Sequence, residues 1–222
     1  MISFIQTAIG YADPQQRDVL RRLIRFYRTG AEKDWISYNI AWVKANPPVD
    51  MISGFVETYL DPRSAKGSFE TIVSFVDPEA TELMQRLAEN AAYFESRAPW
   101  KDEYKKRGFE PPVANAINVV AATGDGGPFC PGGINLPNEQ AIREKYGTKS
   151  VLLNNIMRAA TAAIGEKAAI EFSSSDEERE RADKYRVRAR DLLVALHEIV
   201  GHGSGKVSER LEEDPCVYLK EY

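Results

Sequence analysis

The amino-acid sequence predicts an α+β fold, because helical and extended patterns alternate along its 222 residues. Two β-rich runs at 51–60 and 68–76 flank a segment that contains Pro62 and Gly67, which is typical of a β-hairpin. A long charged segment that begins at Ser175 has the pattern of a capped helix. The chain is 43% hydrophobic and 28% charged, an ordinary globular composition, and it is long enough to bury a core.

The composition argues against several classes of partner. The net charge is −4 and no basic block is present, so a nucleic-acid surface is not expected. No apolar stretch approaches the roughly 20 residues that span a bilayer, and the N-terminus lacks the pattern of a signal peptide. The two cysteines, Cys130 and Cys216, are too few for a disulfide framework. We therefore expect reduced thiols, a cytoplasmic location, and no nucleic-acid or membrane partner.

Five elements are predicted in the first part of the chain. They are helices at 14–29 and 32–44, strands at 51–60 and 68–76, and an amphipathic helix at 78–95. The first helix follows Asp13-Pro14, an N-cap and a first-turn proline, and Gly30 ends it. The Pro47-Pro48 pair ends the second helix, because proline has no amide hydrogen to continue the ladder.

The middle of the chain is predicted to contain loops around one buried strand. The predicted segments are a polar loop at 100–112, a strand at 117–122, a glycine- and proline-rich turn at 123–133, a helix after Pro137 and a mostly apolar helix from about Ser150 to Ile164. The strand is assigned from its β-branched apolar residues.

The last predicted helix begins with a capping box formed by Ser175 and Glu178, and its charged residues can form i,i+4 ion pairs. A solvated face is the simplest interpretation of these charges. The same helix becomes apolar over 192–196 and so leads the next residues, HEIVGH, towards the interior.

His197 and His202 are the only histidines in the chain, and Glu198 directly follows the first. Imidazole is the commonest zinc ligand, and a neighbouring glutamate can take a proton from water. The alternative is two histidines with no joint role. On a regular helix, positions i and i+5 are offset by about 140°, too far to share one ion. A shared site therefore requires a widened turn, which we expect Gly201 to tolerate.

Other catalytic motifs do not fit this sequence. The segment GHGSGKV at 201–207 is glycine-rich, but its spacing is wrong for a phosphate-binding loop and Val207 replaces the required Ser or Thr. Neither this segment nor GDGGPF at 124–129 matches the dinucleotide fingerprint. No G-x-S-x-G motif is present for a serine hydrolase.

The motif H-E-x-x-G-H, followed by GSGK, resembles the dipeptidyl peptidase III family of zinc exopeptidases. Further segments resemble that family's in the same order: FVETYLDP at 55–62, GSFETIVSF at 67–75, PGGINLPN at 131–138 and KSVLLNNI at 149–156. The resemblance covers roughly residues 36–206. It implies that His197 and His202 bind Zn²⁺ and that Glu198 is the catalytic glutamate that activates water.

The resemblance also implies contacts with a peptide substrate. Glu57 corresponds to the carboxylate that receives the substrate's free amino terminus, and Tyr59 to a catalytic phenol that supports the tetrahedral intermediate. Asn135 and Asn138 correspond to asparagines that bind the first substrate residues. Main-chain groups near Gly132 and Gly133 are expected to pair with an extended peptide. Without the resemblance, Glu57 and Tyr59 would be interpreted as surface residues on one face of a strand.

The family resemblance further implies two lobes with a peptide-binding cleft between them. Residues 1–77 and 116–164 would belong to a mixed, β-containing lobe. Residues 78–115 and 165–222 would belong to a mostly helical lobe that carries the zinc. The expected function is a zinc-dependent dipeptidyl peptidase that removes dipeptides from the free N-termini of short peptides.

The chain departs from the family pattern at the third zinc ligand, which the family takes from a later E-E-x-R-A segment. Glu212-Glu213-Asp214-Pro215 lacks the Arg and Ala and contains a helix-breaking proline, so it does not match. We therefore expect the 222 residues to be an internal fragment that binds zinc weakly and is inactive by itself. The alternative function is a non-catalytic peptide-binding or structural lobe.

Overall fold

The computed structural model describes residues 1–57, 63, 67–106, 113–124, 126 and 131–206. It confirms the α+β class. The helices are α1 (Ile2–Ile9), α2 (Pro14–Thr29), α3 (Glu32–Lys44), α4 (Pro78–Glu89), α5 (Ala91–Arg97), α6 (Gln140–Tyr146), α7 (Asn154–Phe172) and α8 (Asp176–Leu196). The strands are β1 (Val49–Glu57), β2 (Ser68–Val76), β3 (Val113–Gly124), β4 (Gly133–Leu136) and β5 (Lys149–Leu153).

The five strands form one sheet in the order β1-β2-β3-β5-β4. β1 and β2 pair antiparallel as predicted, with Ile52 opposite Ile72, and β3 continues the antiparallel pairing. The predicted strand residues 58–60 and most of the predicted turn lie outside the described residues. β5 lies parallel to β3, and β4 pairs antiparallel with β5. β4 is therefore the edge strand at one end of the sheet.

Helices cover both faces of the sheet and create two hydrophobic cores. Because successive side chains of a strand point to opposite faces, β5 contributes to both of them. Val151 and Leu153 pack in the core that includes α1, α2 and α3. Leu152 packs in the core formed with α4, α5 and the end of α8. The face of β5 that carries Leu152 consequently packs against the segment that carries both histidines.

The N-terminal helices follow their sequence signals, although α1 was not predicted. The Asp13 carboxylate accepts a hydrogen bond from the Gln16 amide at 2.9 Å, which caps α2. Gly30 ends α2 with a φ of 63°, a left-handed conformation that favours glycine.

The predicted helix at 78–95 is instead two helices that meet at Asn90. The Asn90 side chain donates to the Arg86 carbonyl at 2.7 Å. This bond gives the main chain a local alternative to the helical ladder, as short polar side chains often do.

The prediction of a helix that begins at Ser150 is wrong over its first residues. Residues 149–153 form β5, and α7 begins only at Asn154. A short apolar run fits a buried strand as well as a buried helix, and here parallel pairing with β3 decides the outcome. β3 is also longer than the predicted strand at 117–122, and β4 begins where the predicted turn at 123–133 ends.

The charged helix α8 is capped largely as predicted. The Ser175 hydroxyl accepts from the Glu178 amide at 3.2 Å, whereas the Glu178 carboxylate accepts from the Ser174 amide rather than from that of Ser175. Its ion pairs have i,i+3 spacing, not the predicted i,i+4. No helix in the described part of the chain is both long and apolar enough to cross a membrane.

Asp77 joins the start of α4 to two other elements, and this gives a stability prediction. Its carboxylate accepts from the Ala80 amide at 3.1 Å, from Asn154 at 2.9 Å and from Asn118 at 3.3 Å. We expect Asp77→Ala to lower the free energy of unfolding by about 2–3 kcal/mol in urea titrations, since a cap and two side-chain partners are lost. The cap-only variant Asp13→Ala should cost about 1 kcal/mol.

The contribution of Asp77 should also depend on pH. The Ala80 amide, followed by the two asparagine side chains, lowers the Asp77 pKa from its usual 3.8. A carboxylate with a lowered pKa in the folded state stabilises the protein above its unfolded-state pKa, and this stabilisation is lost as the pH falls through the folded-state pKa. The difference between wild type and Asp77→Ala should therefore shrink below about pH 4, and an equal difference at pH 7 and pH 3 would contradict this assignment.

Candidate functional site

The helix α8 continues into a π-helical turn that spans His197–Gly201. The His202 amide donates to the His197 carbonyl, five residues earlier, at 3.0 Å. The two imidazole rings lie 4.8 Å apart, centroid to centroid, at an interplanar angle of 87°. The widened turn that the histidine spacing predicts is thus confirmed.

The glycine that this turn requires is not the one expected from the sequence. Gly201 is exposed, and a β-carbon built on it would meet no side chain within 4 Å and, beyond the adjacent main chain of its own helical turn, no atom closer than the Leu196 carbonyl oxygen at 4.0 Å. A β-carbon on Gly203, however, would lie 2.0 Å from the Ile199 carbonyl oxygen. The expectation that Gly201 makes the distortion possible is therefore corrected, because the steric requirement for glycine falls on Gly203.

The Glu198 side chain is buried beside β4. Glu198 is only 4% exposed, and the Oε2 atom of its side chain has no hydrogen-bond partner among the described residues. Burial raises the Glu198 pKa from 4.5 to about 7, because desolvation disfavours the charged form. A β-carbon on Gly133 would lie 2.6 Å from the Oε1 atom of Glu198. Glycine at 133 therefore gives the carboxylate room against the strand.

The main-chain carbonyl of Glu198 contacts polar side chains of the sheet. It accepts from the Asn135 amide and from the Ser150 hydroxyl, each at 3.3 Å. The Asn135 amide also donates to Ser150 at 2.7 Å and to Thr148 at 3.2 Å. The π-helical turn is thereby tied to both β4 and β5.

The segment after the turn is fixed by charged residues from distant parts of the chain. Arg143 donates to the His202 carbonyl at 2.9 Å, and the Lys106 ammonium donates to the Gly203 carbonyl at 2.6 Å. The buried Glu95 carboxylate accepts from the Gly205 amide at 3.0 Å. These contacts fix the main chain at His202 and just after it.

Electrostatics favour the neutral form of His202. Burial, the neighbouring His197 and the Arg143 guanidinium all lower the His202 pKa. Neutral imidazole is the form that binds a metal ion.

These side chains surround a cavity of about 360 Å³. It is lined by Pro131, Gly133, Ile134, Asn135, Leu136, Asn138, Arg143, His197, Glu198 and His202. A larger, mostly apolar cavity of about 720 Å³ between α3, β1 and α6 shares Leu136 and Asn138 with it. Only the smaller cavity combines histidine and carboxylate side chains.

Six of the residues assigned from the sequence meet at this cavity: Gly133, Asn135, Asn138, His197, Glu198 and His202. Asn138 also donates to the Val56 carbonyl at 2.9 Å, which ties the site to β1. Gly132 is not among the residues that line the cavity, and a β-carbon built on it would meet Met157 and Val194. Glu57 ends β1, but its side chain and the whole of Tyr59 lie outside what the structure describes.

The described donors fit part of a zinc site. The two imidazoles are close and adjoin a buried carboxylate, which suits a metal that prefers nitrogen ligands. Within the residues that the structure describes, no three His, Cys, Asp or Glu side chains converge as possible metal ligands. The described residues therefore bring together two side chains that could bind a metal, whereas a catalytic zinc usually has three protein ligands.

Comparison with known proteins identifies related sequences over nearly the whole chain. A family model described as Peptidase family M49 matches residues 2–221. Dipeptidyl peptidase 3 of Rattus norvegicus is 28% identical over 209 residues, and that of Dictyostelium discoideum is 31% identical over 209 residues. Each match covers 93% of this chain, but only 28% and 29% of the respective relative. The chain thus spans less than a third of these curated relatives.

The fold also matches a solved structure. DPP III from Caldithrix abyssi superposes with a TM-score of 0.76 at 22% sequence identity, over 92% of this chain and 38% of that chain. At this identity the match is evidence for the fold alone.

Proposed function

Because the chain belongs to peptidase family M49, we propose that it carries part of the active site of a zinc-dependent dipeptidyl peptidase. In this proposal the enzyme removes dipeptides from the free N-termini of short peptides. The observation that carries the proposal is the π-helical turn, which brings His197, Glu198 and His202 to one cavity. Relatives named dipeptidyl peptidase 3 support the substrate class.

The proposed roles follow from the chemistry of each side chain. His197 and His202 would hold Zn²⁺, and the third ligand would come from beyond the described residues. Zinc, when bound, supplies a Lewis acid for a peptide carbonyl and for water. Glu198 takes the proton from the attacking water and returns it to the leaving amine. Its burial beside Gly133 makes the carboxylate a stronger base, because its charge is poorly solvated.

The edge strand β4 provides a place for the substrate. An extended peptide could add to β4, whose outer edge pairs with no other strand among the described residues, where Asn135 and Asn138 line the cavity. Glu57 would receive the amino terminus, and Tyr59 would support the tetrahedral intermediate. The cytoplasmic location, the lack of nucleic-acid and membrane partners, and the division into a β-containing and a helical lobe remain predictions.

The product and the metal dependence test this function. Incubation of the full-length gene product with short unblocked peptides should release N-terminal dipeptides, detected by mass spectrometry. A chelator should abolish the release, and added zinc should restore it, because the two imidazoles need the metal to act on the peptide. Release of single residues or internal fragments would contradict the dipeptidyl assignment. Peptide binding without hydrolysis would favour the non-catalytic lobe.

The role of Glu57 gives a separate prediction. Glu57→Gln should raise KM for free-amine peptides at least about 30-fold, since a desolvated ion pair at a binding site is worth about 2–5 kcal/mol. N-acetylated peptides, which carry no ammonium, provide the matched control and should be affected little. If the variant still preferred free-amine peptides as strongly as wild type does, Glu57 would not bind the amino terminus.

A further inference from the structure

A buried serine lies beneath the π-helical turn, on a strand that is otherwise part of the core. Ser150 is fully buried, and its neighbours Lys149, Val151, Leu152 and Leu153 are all buried too. A hydroxyl group at such a position is costly unless it is hydrogen-bonded. The Ser150 hydroxyl donates to the Glu198 carbonyl at 3.3 Å and accepts from the Asn135 amide at 2.7 Å.

The position of Ser150 in the sheet makes this contact direct. Ser150 on β5 is the register partner of Asn135 on β4, so the two side chains lie next to each other on one face. Both donate to the same carbonyl oxygen, that of Glu198. The Ser150 hydroxyl and the Asn135 amide thus bind the turn at one main-chain atom.

The turn needs such support because its hydrogen bonds are displaced from the regular α-helical pattern. In an α-helix each carbonyl accepts from the amide four residues later, whereas the His197 carbonyl here accepts from His202, five residues later. A side-chain donor at the Glu198 carbonyl stabilises this displaced arrangement. Ser150 itself does not line the cavity around the histidines, so it acts through Glu198.

We propose that Ser150 is a positioning residue: with Asn135 it fixes the Glu198 carbonyl and so maintains the widened turn that places His197 and His202 together. The inference rests on the proposed function for its catalytic meaning, but the effect on the turn itself is independent of zinc and substrate. It links the strand edge proposed to bind peptide with the residues proposed to bind metal.

Amide hydrogen exchange, measured by NMR on the zinc-free chain, tests the turn directly. The His202 amide forms the five-residue hydrogen bond, so its exchange rate reports on the turn. Ser150→Ala should speed exchange at His202 about tenfold, as expected for the loss of about 1–1.5 kcal/mol of hydrogen bonding. Amides in the middle of α8 should be affected little.

Ser53→Ala is the matched control. Ser53 is equally buried on a strand, and its hydroxyl bonds to Tyr27 at 2.7 Å and to Thr71 at 2.6 Å, far from the turn in the sheet. It should lower global stability by a similar amount without a selective effect at His202. Equal acceleration at His202 in both variants, uniform acceleration along α8, or loss of folding in Ser150→Ala alone would overturn the inference.

Zinc affinity separates this inference from the proposed function. Ser150→Ala should weaken zinc binding about tenfold in competition with a chromophoric chelator, a size typical of residues that orient metal ligands, whereas Ser53→Ala should not. Faster exchange at His202 with unchanged zinc affinity would overturn the link between the turn and metal binding and leave the role of Ser150 in the turn intact. Unchanged exchange at His202 would overturn the inference itself.

Discussion

Replacement of Glu198 by Gln should reduce dipeptide release by about 10²–10⁴-fold, the usual contribution of general acid–base catalysis. Glutamine has nearly the same size and keeps hydrogen-bonding capacity, but it cannot accept the proton from water. The side chain is buried against Gly133, so little room exists for another group to take its place. The loss should therefore fall on kcat and not on KM.

The measurement is steady-state hydrolysis by the full-length gene product, with zinc content determined in the same samples. Zinc content and peptide binding should persist, because neither imidazole is changed. Glu79→Gln, at an exposed position in the first turn of α4, is the control and should leave activity unaltered. Hydrolysis at the wild-type rate by Glu198→Gln would mean that the proposed mechanism is wrong.

The local parts of the site could be predicted from the sequence. The spacing of His197 and His202 requires a widened turn if they share an ion, and this requirement depends only on helix geometry. The hairpin of β1 and β2 and the cap of α8 also follow from local patterns. In each case the residues that decide the structure are close together in the sequence.

Features that depend on distant residues could not be predicted in the same way. Residues 149–153 fit a helix or a strand, and only the pairing with β3 makes them β5. Ser150, Arg143 and Lys106 support the histidine segment from positions that are 48, 59 and 97 residues away from their partners. A serine in an apolar run carries no signal for this role until the fold places it below Glu198.

The requirement for glycine at position 203, after the turn, also could not be predicted from the sequence. H-E-x-x-G-H draws attention to Gly201, since glycine inside a helix is unusual. Yet Gly201 is exposed and has space for a side chain, whereas Gly203 is buried against the Ile199 carbonyl. A close approach between two main-chain atoms becomes visible only in three dimensions.

The difference between Gly203 and Gly201 gives a prediction in which Gly201→Ala is the control for Gly203→Ala. Gly203→Ala should lower the free energy of unfolding by about 1–3 kcal/mol, the usual cost of overpacking, because the new β-carbon would lie 2.0 Å from a carbonyl oxygen. Gly201→Ala should change it by no more than about 0.5 kcal/mol, as for most exposed positions. Thermal or urea unfolding of the two variants measures this difference.

The clash at Gly203 should also disturb the proposed zinc site. The segment cannot easily move away, because Lys106 holds the Gly203 carbonyl, Arg143 holds the His202 carbonyl and Glu95 holds the Gly205 amide. The strain must therefore pass to the π-helical turn, and zinc affinity should fall at least about tenfold, as when residues that orient metal ligands are lost. Gly201→Ala should bind zinc as wild type does. If Gly201→Ala lost zinc and Gly203→Ala kept it, the glycine requirement would lie inside the turn, as the sequence alone suggests, and the contact at Ile199 would not restrict the site.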